Sequence, residues 1–496
     1  MTKRSSVIDI RGEEFRKVGH DLVDQIANYL ETIAGRPVTG AKTAAELHAL
    51  LEHTGLPVIG KDAGAILTKA ANLLFENSLS NGHPKFLGYI TSSPSPLGAL
   101  ADLLASSVNP NVGAFILSPM ATTIEKQTIR WLAEFVGISP DCAGLLVSGG
   151  NMANFTAFLA ARTAKGARSI KTEGLAGSYQ PHIVYCSKAT HAWVEKAAVL
   201  FGIGTNNVRW IGIDENSKMQ LQELEQSIVT DLKAGFNPFL VIANAGDVST
   251  GAVDDLKSIA SLCKIYNLWF HVDGAYGVVA AALPELAKCF EGIREADSIA
   301  LDPHKWLYSP LEAGCVLVKD PNALLNAYST HPPYYNFSSE EVQAVNYYEY
   351  GFQNSRGFRA LKVWMGLQQA GLSGYQEMIR EDIRLSKLLF DLAQQHPELE
   401  AITQNLSIAT LRYVPEKNVD LKYLNTLNEV LLNSIQRKGD VFLSNAMING
   451  MYCLRACIVN FRTSDEDIEQ IIDILVKEGR KIANQLADTN NEVINT

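Results

Sequence analysis

Ser298-Ile299-Ala300-Leu301-Asp302-Pro303-His304-Lys305-Trp306-Leu307-Tyr308-Ser309-Pro310 begins as a short apolar run of strand type. It stops at Pro303 and presents His304, Lys305 and Trp306 in a turn before the chain becomes apolar again. A partly buried lysine at a strand end gives up its proton easily and can then join an aldehyde as an amine nucleophile. Taken alone, a His-Lys-Trp triplet on a loop is more often solvated surface, so its meaning rests on what the chain places beside it.

Apolar runs of the same kind recur on both sides of this stretch. They are Leu145-Leu146-Val147, Ile183-Val184-Tyr185, Val208 to Ile211, Phe239 to Ile242, Leu268 to Val272 and Cys315 to Val318, each bounded by turn residues and most separated by helical segments. This alternation predicts an α/β fold with a mainly parallel sheet. Ligands of such sheets sit beyond the carboxyl ends of the strands, so the residues just after each run are the ones to inspect.

After the first run comes Ser148-Gly149-Gly150-Asn151, opening a helical stretch to Lys165. Two glycines bring backbone close to a ligand, and the first N–H groups of the helix make a phosphate seat; an ordinary strand-to-helix turn reads the same way. After the second run, His191 falls at the start of a helix, where its ring can stack on a flat ligand or serve no ligand at all. His271-Val272-Asp273-Gly274-Ala275-Tyr276 then places Asp273 at the sheet edge, where a buried charge needs a cationic partner such as a protonated ring nitrogen. Gly202-Ile203-Gly204, the nearest approach to a dinucleotide fingerprint, precedes a strand instead of following one and is set aside. A phosphate seat, a stacking histidine, a carboxylate for a ring nitrogen and an amine nucleophile together specify pyridoxal 5'-phosphate (PLP).

These motifs, in this order, resemble the group II pyridoxal-phosphate-dependent amino-acid decarboxylases, a family that includes the aromatic-L-amino-acid, histidine, glutamate and 2,4-diaminobutyrate enzymes. The likeness to a bacterial member extends through Asn354-Ser355-Arg356-Gly357-Phe358-Arg359 to Asn460-Phe461-Arg462-Thr463. It implies a fold-type-I homodimer with a seven-stranded, mainly parallel sheet, a smaller C-terminal α+β domain and an N-terminal helical segment. By matching positions it implies that Lys305 carries the cofactor, Asp273 pairs with the ring nitrogen, His191 stacks on one ring face and Ala275 lies against the other. Gly150 and Asn151 would hold the phosphate, His304 would neighbour the lysine, and Ser92 would lie near the cofactor and the substrate carboxylate. The activity implied is removal of the α-carboxylate of an L-amino acid to give an amine and carbon dioxide, with Tyr334 or Tyr335 on a mobile loop as proton donor. Alternatives with the same cofactor are an aldehyde-forming oxidative decarboxylase, an aminotransferase or a carbon-carbon lyase; a non-catalytic PLP-binding protein is the remaining one.

Two departures stand out. Many relatives have Gly-Thr-Thr where this chain reads Gly246-Asp247-Val248-Ser249-Thr250, and Asn109, Asn111 and Gly113 stand where the aromatic-amino-acid enzymes have larger apolar groups. The second puts an aromatic substrate in question.

The bulk numbers agree with a soluble enzyme of small molecules. At 496 residues, 47% of them hydrophobic, the chain can bury a large core. A net charge of -10, without a long basic run, offers no footprint for nucleic acid or anionic membrane. Seven scattered cysteines lack metal or disulfide spacing, and no metal site is expected; with no apolar signal core or membrane-length run, a cytoplasmic location is. The expected units are an N-terminal helical dimerisation segment (1–85), a large cofactor domain (86–369) and a small C-terminal domain (370–496). Phe15, Val18, Leu22, Ile26, Tyr29 and Ile33 make one apolar face of a leading helix over 11–34. Docking on a second subunit is expected for that face, with packing on its own chain as the alternative. A terminal helix is expected over Ser464–Ala487, followed by a disordered tail.

Overall fold

The structure is a computed structural model that describes residues 6–51, 55–166, 170–177, 180–330, 344–416 and 419–494. The leading segment is three helices: α1 (Gly12–Thr32), α2 (Ala44–Leu50) and α3 (Ala63–Asn77). Two more, α4 (Pro96–Val108) and α5 (Pro119–Phe135), each begin with proline at the first turn, where the missing N–H is not needed.

The large sheet follows. Its strands are β1 (Ala143–Val147), β2 (His182–Ser187), β3 (Val208–Ile211), β4 (Asn237–Asn244), β5 (Trp269–Asp273), β6 (Ser298–Leu301) and β7 (Gly314–Val318), in the order β1-β7-β6-β5-β4-β2-β3. All neighbours are parallel except β7, which runs antiparallel to both β1 and β6. Every residue of β1, β2, β5, β6 and β7 is buried, as expected of strands covered on both faces. The strands fall where the apolar runs predict them. β4 is longer than its run, because Asn244 continues the ladder and pairs in register with Asp273. Helix α6 (Gly150–Lys165) lies on this sheet, and its buried Ala153, Ala157, Ala160 and Ala161 let it approach closely.

A long helix, Ala360–Gln395, leads into the second unit and is broken at Gly371, where φ is 63°. There β8 (Leu399–Asn405), β9 (Ile408–Tyr413), β10 (Ser444–Ile448) and β11 (Met451–Cys457) form an antiparallel sheet in the order β10-β11-β9-β8. The helix Leu421–Lys438 packs against β11, beside the terminal helix Asp465–Ile494. That last helix continues past its expected end at Ala487 to Ile494, so residues 488–494 of the expected disordered tail are helical in their backbone. The segment after residue 85 joins the small sheet: Leu87 donates its N–H to the Phe442 carbonyl and accepts from the Cys457 N–H. Among the described residues no helix is long and apolar enough to cross a membrane, and no cluster of side chains could hold a metal ion.

Two buried polar knots fix the loops around the sheet edge. Asp382, on the long helix, accepts from Trp306 Nε1 at 2.8 Å and from the Tyr308 hydroxyl, so the turn carrying Lys305 is pinned to that helix. Burial pushes the Asp382 carboxyl up to about 7. The second knot is Arg356, whose guanidinium donates to Glu125 Oε1, to the Leu146 carbonyl and to the Val112 carbonyl, with the Tyr347 ring 4.7 Å from its carbon. Both partners are buried, so removing one strands the other as an unpaired charge. Glu125→Ala should therefore destabilise the fold by about 3–5 kcal/mol. Thermal unfolding of the two proteins checks this, and an unchanged midpoint would contradict the stated role of the pair.

Candidate active site

The carboxyl ends of β1, β2, β4, β5 and β6 open onto one cavity of about 680 Å³, lined among others by Gly149, Gly150, Asn151, His191, Asp273, Ala275, His304 and Lys305. The sequence-predicted residues other than Ser92 and the two loop tyrosines are thus brought together. Ser92 instead donates its hydroxyl to the His304 carbonyl at 3.0 Å, and lines a smaller neighbouring cavity of about 310 Å³ that also reaches His304. It supports the turn from behind. Tyr334 and Tyr335 lie outside the described residues.

The phosphate seat is built by close approach. Gly149 has φ 140°, a conformation that side chains rarely adopt. A Cβ on Gly150 would stand 2.7 Å from Asp302 Oδ2 and 3.2 Å from the Ala275 Cβ, so the start of α6 is pressed against the ends of β5 and β6. Its free N–H groups face the cavity with the positive end of the helix dipole.

Asp273, the last residue of β5, is buried and held on both oxygens by neutral donors. Trp193 Nε1 donates to Oδ2 at 2.7 Å and the Ala275 N–H to Oδ1 at 3.2 Å. Among the described residues it makes no ion pair. A buried carboxylate so arranged is oriented and lacks only a cation, which the cavity must supply. Beside it His191 accepts the Trp193 N–H on Nδ1 at 3.2 Å, which leaves the proton of the neutral ring on Nε2. Desolvation lowers its pKa, reinforced by the nearby Lys305 and Lys196 charges and opposed by Asp273 and Asp302.

Lys305 pairs through Nζ with Asp302 Oδ2 at 3.1 Å, and His304 Nε2 lies 3.7 Å from the same oxygen. His304 Nδ1 accepts the Ala313 N–H, and burial lowers the ring's pKa, so it stands neutral with a donor directed at Asp302. This set fits PLP. It offers a helix terminus for the phosphate, a buried carboxylate without a cation for the ring nitrogen and a lysine within the cavity.

Three contributors escape sequence reasoning. Trp193 holds Asp273, Asn244 sits in register beside it, and a relay fixes α6 to the sheet. In that relay Trp269 Nε1 donates to Ser298 Oγ, Ser298 to His271 Nδ1, and His271 Nε2 to Asn154 Oδ1, each at 2.8 Å. His271 opens a motif already singled out and Trp193 follows His191 by two residues, but which atoms meet depends on strand order. Asn244 donates to Ser187 Oγ at 3.0 Å and Thr190 Oγ1 at 3.2 Å, tying β4 to the turn that carries His191.

The profile of the pyridoxal-dependent decarboxylase conserved domain matches residues 47–412. The chain is 33% identical over 470 residues to an aromatic-L-amino-acid decarboxylase of Bacillus atrophaeus, covering 94% of this chain and 96% of that one. It is 30% identical over 467 residues to a phenylacetaldehyde synthase of Petunia hybrida, covering 92% of each. Among solved structures, tryptophan decarboxylase of Catharanthus roseus in complex with L-tryptophan superposes with a TM-score of 0.86 at 25% identity, over 96% of this chain and all (100%) of that one. The Oryza sativa TDC with PLP and tryptamine does so with a TM-score of 0.90 at 24% identity over 96% and 100%, a likeness of fold.

The His271 relay carries a pH prediction. Burial drives its pKa down to about 4, opposed by the nearby Asp273 charge, so folding favours the neutral ring. That contribution is complete above the ordinary histidine value of about 6.5 and is lost as pH falls toward 4, at up to about 1.4 kcal/mol per pH unit. The stability advantage of the wild type over His271→Gln should therefore shrink between pH 7 and pH 4 in thermal unfolding. A constant difference across that range would contradict it.

Proposed function

The chain belongs to the pyridoxal-dependent decarboxylase family, and from that premise we propose that it removes the α-carboxylate of an L-amino acid to give the amine and carbon dioxide. It is a PLP-dependent carboxy-lyase by kinship; the amino acid and the amine product are the proposal. The observation that carries it is the buried Asp273, oriented by Trp193 and Ala275 and facing a cavity that also holds Lys305.

Bound there, PLP supplies an aldehyde that joins an amine and a cationic ring that takes up the electron pair left as carbon dioxide departs. Lys305 would hold the aldehyde carbon until the substrate amine displaces it. Asp273 would keep the proton on the ring nitrogen, which is what makes the ring an effective acceptor of charge. Glycines 149 and 150 leave the first N–H groups of α6, including that of Asn151, free for the phosphate. His191 presents its face and its Nε2–H to the cavity, where it would lie against the ring and bind or relay a proton, and Ala275 is small enough to lie against the opposite face. A proton donor within reach of the substrate carbon would then give the amine, the task we assign to Tyr334 or Tyr335.

A homodimer fits the surface. None of the residues of α1 is buried, and Leu100, Leu103, Leu104 and Val108 on α4, Ile116 and Leu117 in the turn after it and Met120 at the start of α5 are exposed. An apolar surface of this extent is what an obligate subunit interface covers. All seven cysteines are unpaired, which suits the reducing cytoplasm as its place.

The test is a screen of the standard and common non-standard L-amino acids for carbon dioxide release, with product identification. The expected result is release from at least one, with a matching amount of amine. Aldehyde with ammonia in its place would establish the oxidative reading, and turnover without carbon dioxide the aminotransferase or lyase readings. Asp273→Asn should keep its fold and cofactor yet lose about a hundredfold or more in kcat, since a neutral amide no longer holds the ring nitrogen protonated. Parent-like kcat would remove Asp273 from that role. In light scattering the protein should run at twice the chain mass, and loss of residues 1–34 should leave inactive monomer or aggregate. A fully active monomer would refute the dimer.

A further inference from the structure

Behind the turn that carries Lys305, the smaller cavity of about 310 Å³ is lined by a guanidinium that has no carboxylate. Arg462, between β11 and the terminal helix, holds its guanidinium carbon 4.5 Å from the centre of the Phe461 ring. Its Nη1 is packed away above Gly82, where an added Cβ would come within 3.3 Å of it, so nothing bound reaches that nitrogen. Nε and Nη2 also lack a hydrogen-bond partner among the described residues, but they keep accessible surface on a side chain that lines the cavity.

The chain offers this cation no balance of its own. Burial lowers the guanidinium's pKa, and the Tyr29 phenol is the titratable group that opposes this. Among the described residues lining the cavity, Arg462 is the only lysine, arginine, aspartate or glutamate, and burial lowers the pKa of His304 toward its neutral form. The rest of the polar wall is hydroxyls and an amide. Thr91, Asn81 and Ser309 make no side-chain hydrogen bond among the described residues, and Ser309 keeps its hydroxyl accessible although the residue is only 3% exposed. A partly desolvated charge is costly until a counter-ion meets it, and the edge formed by Nε and Nη2 suits the two oxygens of a carboxylate. Leu30, Ile33, Leu79, Pro94 and Pro310 make the remaining wall apolar, and the volume is at the low end for ligand cavities, which suits a short apolar body.

We propose that this cavity is a second binding site, which takes a small aliphatic carboxylate held by Arg462. Neither Lys305 nor Asp273 lines it, so the site is separate from the larger cavity. Its occupant lies against the back of the cofactor turn, where Ser309 and Pro310 close the wall and Ser92 holds the His304 carbonyl at 3.0 Å.

Fluorine NMR of the PLP-loaded protein tests it, by titration with butyrate trifluorinated on its terminal carbon, beside the corresponding neutral amide. The acid should show saturable broadening and shift of its resonance, and the amide none. Arg462→Gln should weaken binding of the acid about tenfold or more, the loss expected of one charge-assisted pair. Leu30→Trp, which fills the cavity from α1 and leaves the arginine in place, should abolish that binding while PLP stays bound. Equal binding of the amide, or no saturable binding of the acid, overturns the proposal on the wild-type protein alone, even where a variant does not fold. Parent affinity in either folded variant overturns it too, because the acid then binds elsewhere. Neither arm reads carbon dioxide release, so failure of this site leaves the decarboxylase reading standing, and failure of that reading leaves this site standing.

Discussion

The arrangement at the sheet edge depends on one buried negative charge. Asp273 sits at the end of a strand buried along its whole length, where an isolated carboxylate is costly, and its protein partners are an indole N–H and a backbone N–H. Those donors orient it without neutralising it. The missing counter-charge must come from the cavity, which is why a cationic heterocycle is the group that this fold is shaped to accept. Trp193 couples that demand to His191, since one residue gives its side-chain N–H to Asp273 and its backbone N–H to the imidazole.

Around that charge the chain fixes positions by buried polar knots more than by packing alone. Asp382 reaches from the long helix to hold Trp306 and Tyr308, so the turn bearing Lys305 is set by that helix as much as by the sheet. The His271 relay anchors α6 through Asn154, and with it the helix terminus proposed as the phosphate seat. Such networks tie the long helix, the turn and the cavity wall to one another through buried hydrogen bonds.

Much of this was legible in the sequence because the chemistry sits on short motifs next to strands. The apolar runs marked the strands, and the residues just beyond them, Gly150, His191, Asp273 and Lys305, do converge on one cavity. What remained hidden depends on neighbours far apart in the chain. That Trp193 meets Asp273 follows from strand order, and that Ser92 turns toward the His304 carbonyl follows from how the leading segment wraps the turn. The departure at Gly246-Asp247-Val248-Ser249-Thr250 has a structural account: Asp247 gathers the N–H groups of Ser249, Thr250 and Ala252 into a tight turn, leaving Val248 to face the cavity. Asp302 was read as part of a motif and not as a charge, because its meeting with Gly150 joins segments that only the fold brings together.

The central claim is that Lys305, opposite Asp273 at this sheet edge, is the residue that joins the cofactor. Borohydride reduction of the PLP-loaded protein fixes that bond permanently, and peptide mapping by mass spectrometry then locates it. The account predicts a single pyridoxyl mass increment on the peptide carrying Asp302-Pro303-His304-Lys305. An increment on another lysine, or a reduced protein that releases all of its cofactor on denaturation, would contradict it.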